Sequence, residues 1–82
     1  MSNLEKYNKI FISALSINSK VLNQDLKYND IPEWDSIGHM TLMSDLEETF
    51  NITIDTDDIV DFSSYKKGME ILEKYKIKFW FF

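Results

Sequence analysis

Pro32-Glu33-Trp34-Asp35-Ser36-Ile37-Gly38-His39-Met40 marks the place where a long aperiodic stretch gives way to a helix. Pro32 fixes its own φ and disfavours helical backbone at Ile31, which holds the helix off until about Asp35. From Ser36 to Phe50 apolar side chains recur at steps of three and four: Ile37, Met40, Met43, Leu46 and Phe50, with Leu42 beside them. That spacing predicts an amphipathic helix over 36–50, its stripe inward and Asp45, Glu47 and Glu48 toward water. Ser36 falls in its first turn. Asn51 suits the C-terminus, because asparagine tolerates the left-handed backbone that closes many helices.

Upstream, Ser2 and Glu5 have the spacing of a capping box, in which each side chain satisfies the other's unpaired backbone donor. Leu4, Tyr7, Phe11, Ala14 and Leu15, widened by Ile10 and Ile17, give the helix that follows an inward face, and it is expected to end near Asn18. Between Ser19 and Asp35 no period persists. Val21, Leu22, Leu26 and Ile31 are spaced as anchors that pin this long loop to a core; loops of such length are usually functional or disordered, and the anchors favour order. Downstream, Ile52-Thr53-Ile54 reads as an extended link. Asp55 can cap a short third helix through about Asp61, with Ile59, Val60 and Phe62 as its apolar contacts. Ser63 or Ser64 restarts the chain, and Tyr65, Met69, Leu72 and Tyr75 form the inward face of a last helix. Gly68 weakens that helix by roughly 1 kcal/mol relative to alanine. The fold class is therefore all-α: a small four-helix bundle with three main helices, a short third helix and a long first loop.

Eighty-two residues allow one domain with a modest core. There is no cysteine, which excludes a disulfide framework and a thiolate metal site. No apolar run approaches the roughly 20 residues of a membrane span, and the N-terminus lacks a basic-then-apolar leader pattern. A cytoplasmic, monomeric protein is expected. All nine basic residues are lysines that lie before Tyr28 or after Tyr65, and the net charge is -5. The ten acids between those tyrosines repel nucleic acid and attract basic protein surfaces, or simply solvate a helical face.

Asp35, Ser36 and His39 are the residue types of a hydrolytic triad, but on one helical turn they cannot readily place histidine between serine and acid. One histidine without cysteine makes a poor zinc site. Asp55-Thr56-Asp57-Asp58 lacks the glycine and distant glutamate of a calcium loop. Neither a catalytic nor a metal centre is expected. What remains is a serine at the positive end of a helix, where backbone N–H groups and the helix dipole favour a bound or attached phosphate. A serine there also serves as a plain N-cap, and position alone leaves both roles open.

Asp35-Ser36-Ile37 resembles the D-S-L signature of acyl carrier proteins. The resemblance extends to the upstream helix, the anchored loop, Leu46-Glu47-Glu48-Thr49-Phe50-Asn51-Ile52-Thr53-Ile54 and the acidic short helix, and covers residues 1–75 as one helical domain. It implies 4'-phosphopantetheine attached to Ser36, with Asp35 helping a phosphopantetheinyl transferase and its metal engage. It implies a carrier with no active site of its own. An acyl or aminoacyl group would ride as a thioester to loading and transfer enzymes, whose basic patches would meet Ile37, Asp45, Glu47, Glu48, Asp57 and Asp58.

Gly38 and Thr41 stand where carriers of fatty-acid synthesis commonly have acids, and the Trp34-to-Met40 variant is more similar to stand-alone carriers of specialised bacterial biosynthetic pathways. His39 reads as an ordinary surface residue or as a titratable group near the arm. A second class stays open: a small acidic helical interaction module with Ser36 unmodified. The tail, residues 76–82, ends in four aromatics that either fold back onto the core or bind a partner.

Overall fold

The structure is a computed structural model and describes residues 2–79. Four helices follow in order: α1 (Asn3–Leu15), α2 (Ser36–Phe50), α3 (Thr56–Asp61) and α4 (Tyr65–Lys74). They form an all-α bundle in which α1 against α2 is the main helix pair.

The Ser2–Glu5 capping box is present in full. The helix it starts stops at Leu15, three residues before the expected end near Asn18, because Ser16 adopts the left-handed conformation (φ 53°, ψ 47°). This lets the Ile17 N–H reach back to the Ile12 carbonyl at 3.1 Å, closing the last turn with Ile17 buried beyond it. α2 has the expected bounds, and Asn51 closes it in the left-handed conformation. Its buried face is not the expected stripe. Ile37 is 79% exposed and Met40 57% exposed, whereas Leu42, Met43 and Leu46 are buried. Gly38 and His39 take the inward places of the first turn, a small residue and a polar one that an apolar periodicity does not register. Gly38 is there because the Glu33 carbonyl oxygen would lie 2.1 Å from any Cβ at this position.

The long loop is ordered by its own turns and by aromatic packing. Asn18 and Asn23 side chains accept backbone N–H groups two residues on, and Asp30 accepts the Lys27 N–H. Leu26 is buried, Leu22 and Ile31 are half-buried, and Val21 is exposed at 37%. The strongest anchor is Trp34, fully buried with its ring edge-on to Phe11 at 5.3 Å. Lys27 pairs with Ser64 in a single antiparallel bridge, which binds the loop to the link before α4.

α3 keeps its expected bounds, but the Asp55 side chain makes no cap hydrogen bond; the Asp55 N–H instead donates to the Tyr75 hydroxyl at 3.0 Å. Of its expected apolar contacts, Phe62 is buried, Ile59 is half-buried and Val60 is 75% exposed. α4 is capped by Ser64 and buries Tyr65, Met69 and Leu72 as expected, together with Ile71, while Tyr75 is half-buried. Lys76 turns the chain with φ 70°, and Ile77 and Phe79 enter the same core, Phe79 meeting Tyr7 at 5.2 Å. The Asn3 side chain fixes this return by donating to the Lys78 carbonyl at 2.9 Å. Of the two readings of the tail, Ile77 and Phe79 follow the one in which it folds back onto the core. Residues 80–82, the rest of that tail, lie outside the described residues.

Candidate functional site

The first turn of α2 divides two roles between adjacent residues. Asp35 is the N-cap: its backbone is extended and its carboxylate accepts the Gly38 N–H at 2.9 Å. Ser36 is therefore the first helical residue and not the cap. Its side chain is exposed, and its Oγ shares a 3.2 Å hydrogen bond with the Tyr28 hydroxyl. The serine hydroxyl is thus held from one side by a loop tyrosine and open on the other. The position is at the positive end of a fifteen-residue helix.

Tyr28 is set by the loop. Its N–H donates to the Ser63 carbonyl at 2.9 Å, and its ring lies edge-on to His39 and Trp34 at 5.4 and 6.3 Å. Tyr28, His39, Ile59, Val60, Phe62 and Ser63 line a mostly apolar cleft of about 240 Å³. Exposed Ile37 and Met40, three residues apart on α2, and Val60 on α3 are large apolar side chains at this end of the bundle.

His39 is no loose surface residue. It is half-buried, its Nδ1 accepting the Trp34 indole N–H at 3.0 Å and its Nε2 2.9 Å from the Ile59 carbonyl oxygen. Neither nitrogen serves Ser36 or Asp35, so these three residues do not form a relay.

The expected docking acids do not behave alike. Glu48 and Asp57 are exposed, and Asp45 is half-buried. Asp45 and Glu48 border a shallow depression shared with Lys6 and Lys9 of α1. Glu47 turns back on the chain, its Oε2 accepting the Ile54 N–H at 2.8 Å. Asp58 is a correction: it is buried, with Oδ1 2.6 Å from the Lys74 ammonium and Oδ2 accepting the Tyr75 hydroxyl at 2.6 Å. Those bonds, Lys74 foremost, hold its carboxyl below the usual aspartate range, and the same contact raises Lys74. Burial raises Tyr75, and its bond to Asp58 adds to this. Asp58 thus fastens α3 to the end of α4 and offers no free carboxylate to a partner.

Three contributors to the site carry no role in the sequence reading. Trp34 stood in the quoted stretch, and a tryptophan in an aperiodic run is itself a signal of anchoring. Tyr28 had no such signal, since its hydrogen bond to Ser36 depends on how the loop folds back across eight residues. Val60 was assigned to the core, and only the tertiary placement of α3 turns it outward.

Among the described residues no cluster of three or more histidine, cysteine, aspartate or glutamate side chains is placed to hold a metal ion, and no helix is long and apolar enough to cross a membrane. No protein-family model and no curated protein matches the chain.

Proposed function

We propose that the chain is a carrier protein of the acyl carrier type, with Ser36 bearing 4'-phosphopantetheine. The observation that carries this reading is the division of labour at α2: Asp35 caps the helix, so Ser36 is exposed with no capping duty. The residues fit the group. A phosphodiester on Ser36 Oγ would sit at a helix N-terminus, where negative charge is stabilised. When bound, the group supplies a thiol that holds cargo as a thioester. Attachment forms the bond from Ser36 Oγ to phosphorus and breaks the pyrophosphate of coenzyme A. Adenosine bisphosphate leaves, and the serine proton passes to a base of the transferase.

The chain's own residues position and present. Tyr28 holds the Ser36 hydroxyl, and Asp35 keeps the helix start fixed. Exposed Ile37, Met40 and Val60 offer apolar contact to a transferase and to loading enzymes, and Asp45, Glu48 and Asp57 are the docking acids left open to a basic partner. Such a surface suits partners with basic patches that must bind quickly and release. The cargo is an acyl or aminoacyl group, and the setting a cytoplasmic, specialised biosynthetic pathway of a bacterium in which the protein acts as a monomer.

The test is intact mass after incubation with coenzyme A, magnesium and a broad-specificity phosphopantetheinyl transferase. The parent should gain one phosphopantetheine and Ser36→Ala none. A folded parent left unchanged by several transferases would favour an interaction module with Ser36 unmodified.

A further inference from the structure

His39 is the sole histidine of the chain, and each of its ring nitrogens has one partner that permits only one proton arrangement. The Trp34 indole nitrogen can only donate, so Nδ1, 3.0 Å away, accepts and carries no proton. The Ile59 carbonyl can only accept, so Nε2, 2.9 Å away, holds the ring proton. The ring is therefore a neutral Nε2–H tautomer. Stacking on Trp34 (centroids 6.2 Å apart, planes at 22°) and the edges of Tyr28 and Phe62, at 5.4 and 5.9 Å, keep it in place.

A second proton can enter only at Nδ1, where it would meet the indole N–H head-on. Trp34 is fully buried, so its indole has no water to turn to without leaving its place. The bond to Ile59 behaves differently. It keeps its donor when the ring is charged and becomes charge-assisted. Ile59 lies in the six-residue α3, whose last carbonyls have no intrahelical donor, so the ring serves a group otherwise left to solvent. Charging the imidazole breaks one side of the link and keeps the other.

No carboxylate is paired with the ring to receive that charge. Asp35 is engaged by the Gly38 N–H, Asp30 by the Lys27 N–H, and Asp58 by Lys74 and Tyr75. Glu33 in the loop and Asp57 and Asp61 on α3 are exposed, and among the described residues no carboxylate lies within 4.0 Å of either ring nitrogen. The Tyr28 phenol is turned to Ser36.

We infer that His39 is a pH-operated latch on Trp34. Neutral, it holds the indole and with it the loop that delivers Asp35 and Ser36 to the start of α2. Protonated, it releases the indole while retaining α3. Acidification then loosens the approach to Ser36 and the cleft beside it, whatever Ser36 carries.

Heteronuclear NMR of the imidazole in the full chain tests this directly, with Trp80→Phe leaving Trp34 as the only indole. At about pH 7.5 the ring should be the Nε2–H tautomer, and the Trp34 indole signal should shift in step with ring charging on titration to about pH 5.5. An Nδ1–H tautomer, a ring already charged at the upper pH, or an indole signal indifferent to ring charging overturns the latch. Urea unfolding adds a second reading: across that range the unfolding equilibrium constant should rise about threefold in the parent, and by less than about 1.5-fold in Trp34→Phe. An equal response in both also overturns it, and should Trp34→Phe fail to fold, the two NMR signals of the Trp80→Phe chain decide.

Discussion

The Asp35 carboxylate accepts the Gly38 N–H at 2.9 Å, and this contact leaves Ser36 without a capping duty. Stability should therefore respond at Asp35 and barely at Ser36. Asp35→Ala loses the cap and should cost about 1 kcal/mol, while Asp35→Asn, also a good cap, should recover most of it. Ser36→Ala should lie within about 0.5 kcal/mol of the parent. Urea denaturation of the three variants measures this, and a Ser36→Ala loss as large as that of Asp35→Ala would show that the serine is the cap.

Gly68 gives a sign test. Helix propensity alone predicts that Gly68→Ala stabilises α4. A Cβ at this position would lie 2.1 Å from Phe62 Cζ and 2.3 Å from the Tyr7 hydroxyl, both fully buried groups with little room to move. Gly68→Ala should accordingly destabilise the protein by about 1–3 kcal/mol, as overpacked cores do. Thermal unfolding decides the sign.

Acid should act through Asp58. Its carboxyl is held below the ordinary range by Lys74 and Tyr75, so its contribution is complete above the unfolded value and is lost as pH falls through the folded value. That places the loss below about pH 4. Urea midpoints between about pH 6 and pH 3 should fall in the parent along this limb, whereas Asp58→Asn should start lower at pH 6 and show a shallower fall. Its effect lies well below the range in which an imidazole charges, which separates α3's two fastenings.

Removal of residues 76–82 should strongly destabilise the bundle, because Ile77 and Phe79 are buried in the core beside Tyr7. Phe79→Ala alone should cost about 3 kcal/mol. A truncated chain with unchanged thermal stability would contradict the packing.

What the sequence revealed and what it hid divides along physical lines. Local signals carried the helices: the capping box at Ser2, Asn51 at the end of α2, and the delay imposed by Pro32 all match the structure, as do the bounds of α2 and α3. The place of Asp35 and Ser36 at a helix start was legible, but that the aspartate and not the serine is the cap was not. The inward face of α2 was not, since Gly38 and His39 fill positions where apolar residues are expected. Asp58 looked like its neighbour Asp57, and only the approach of Lys74 and Tyr75, sixteen and seventeen residues away, distinguishes a buried fastening from an exposed charge. Ser16 ended α1 early through a left-handed turn for which serine gives little warning.

The most direct measurement of the carrier role is fragmentation mass spectrometry of the protein purified from the cells that make it, reading the peptide that contains Ser36. A carrier shows 4'-phosphopantetheine on that serine, with or without cargo on its thiol, and on no other residue. Folded protein whose Ser36 is wholly unmodified under every growth condition would contradict it.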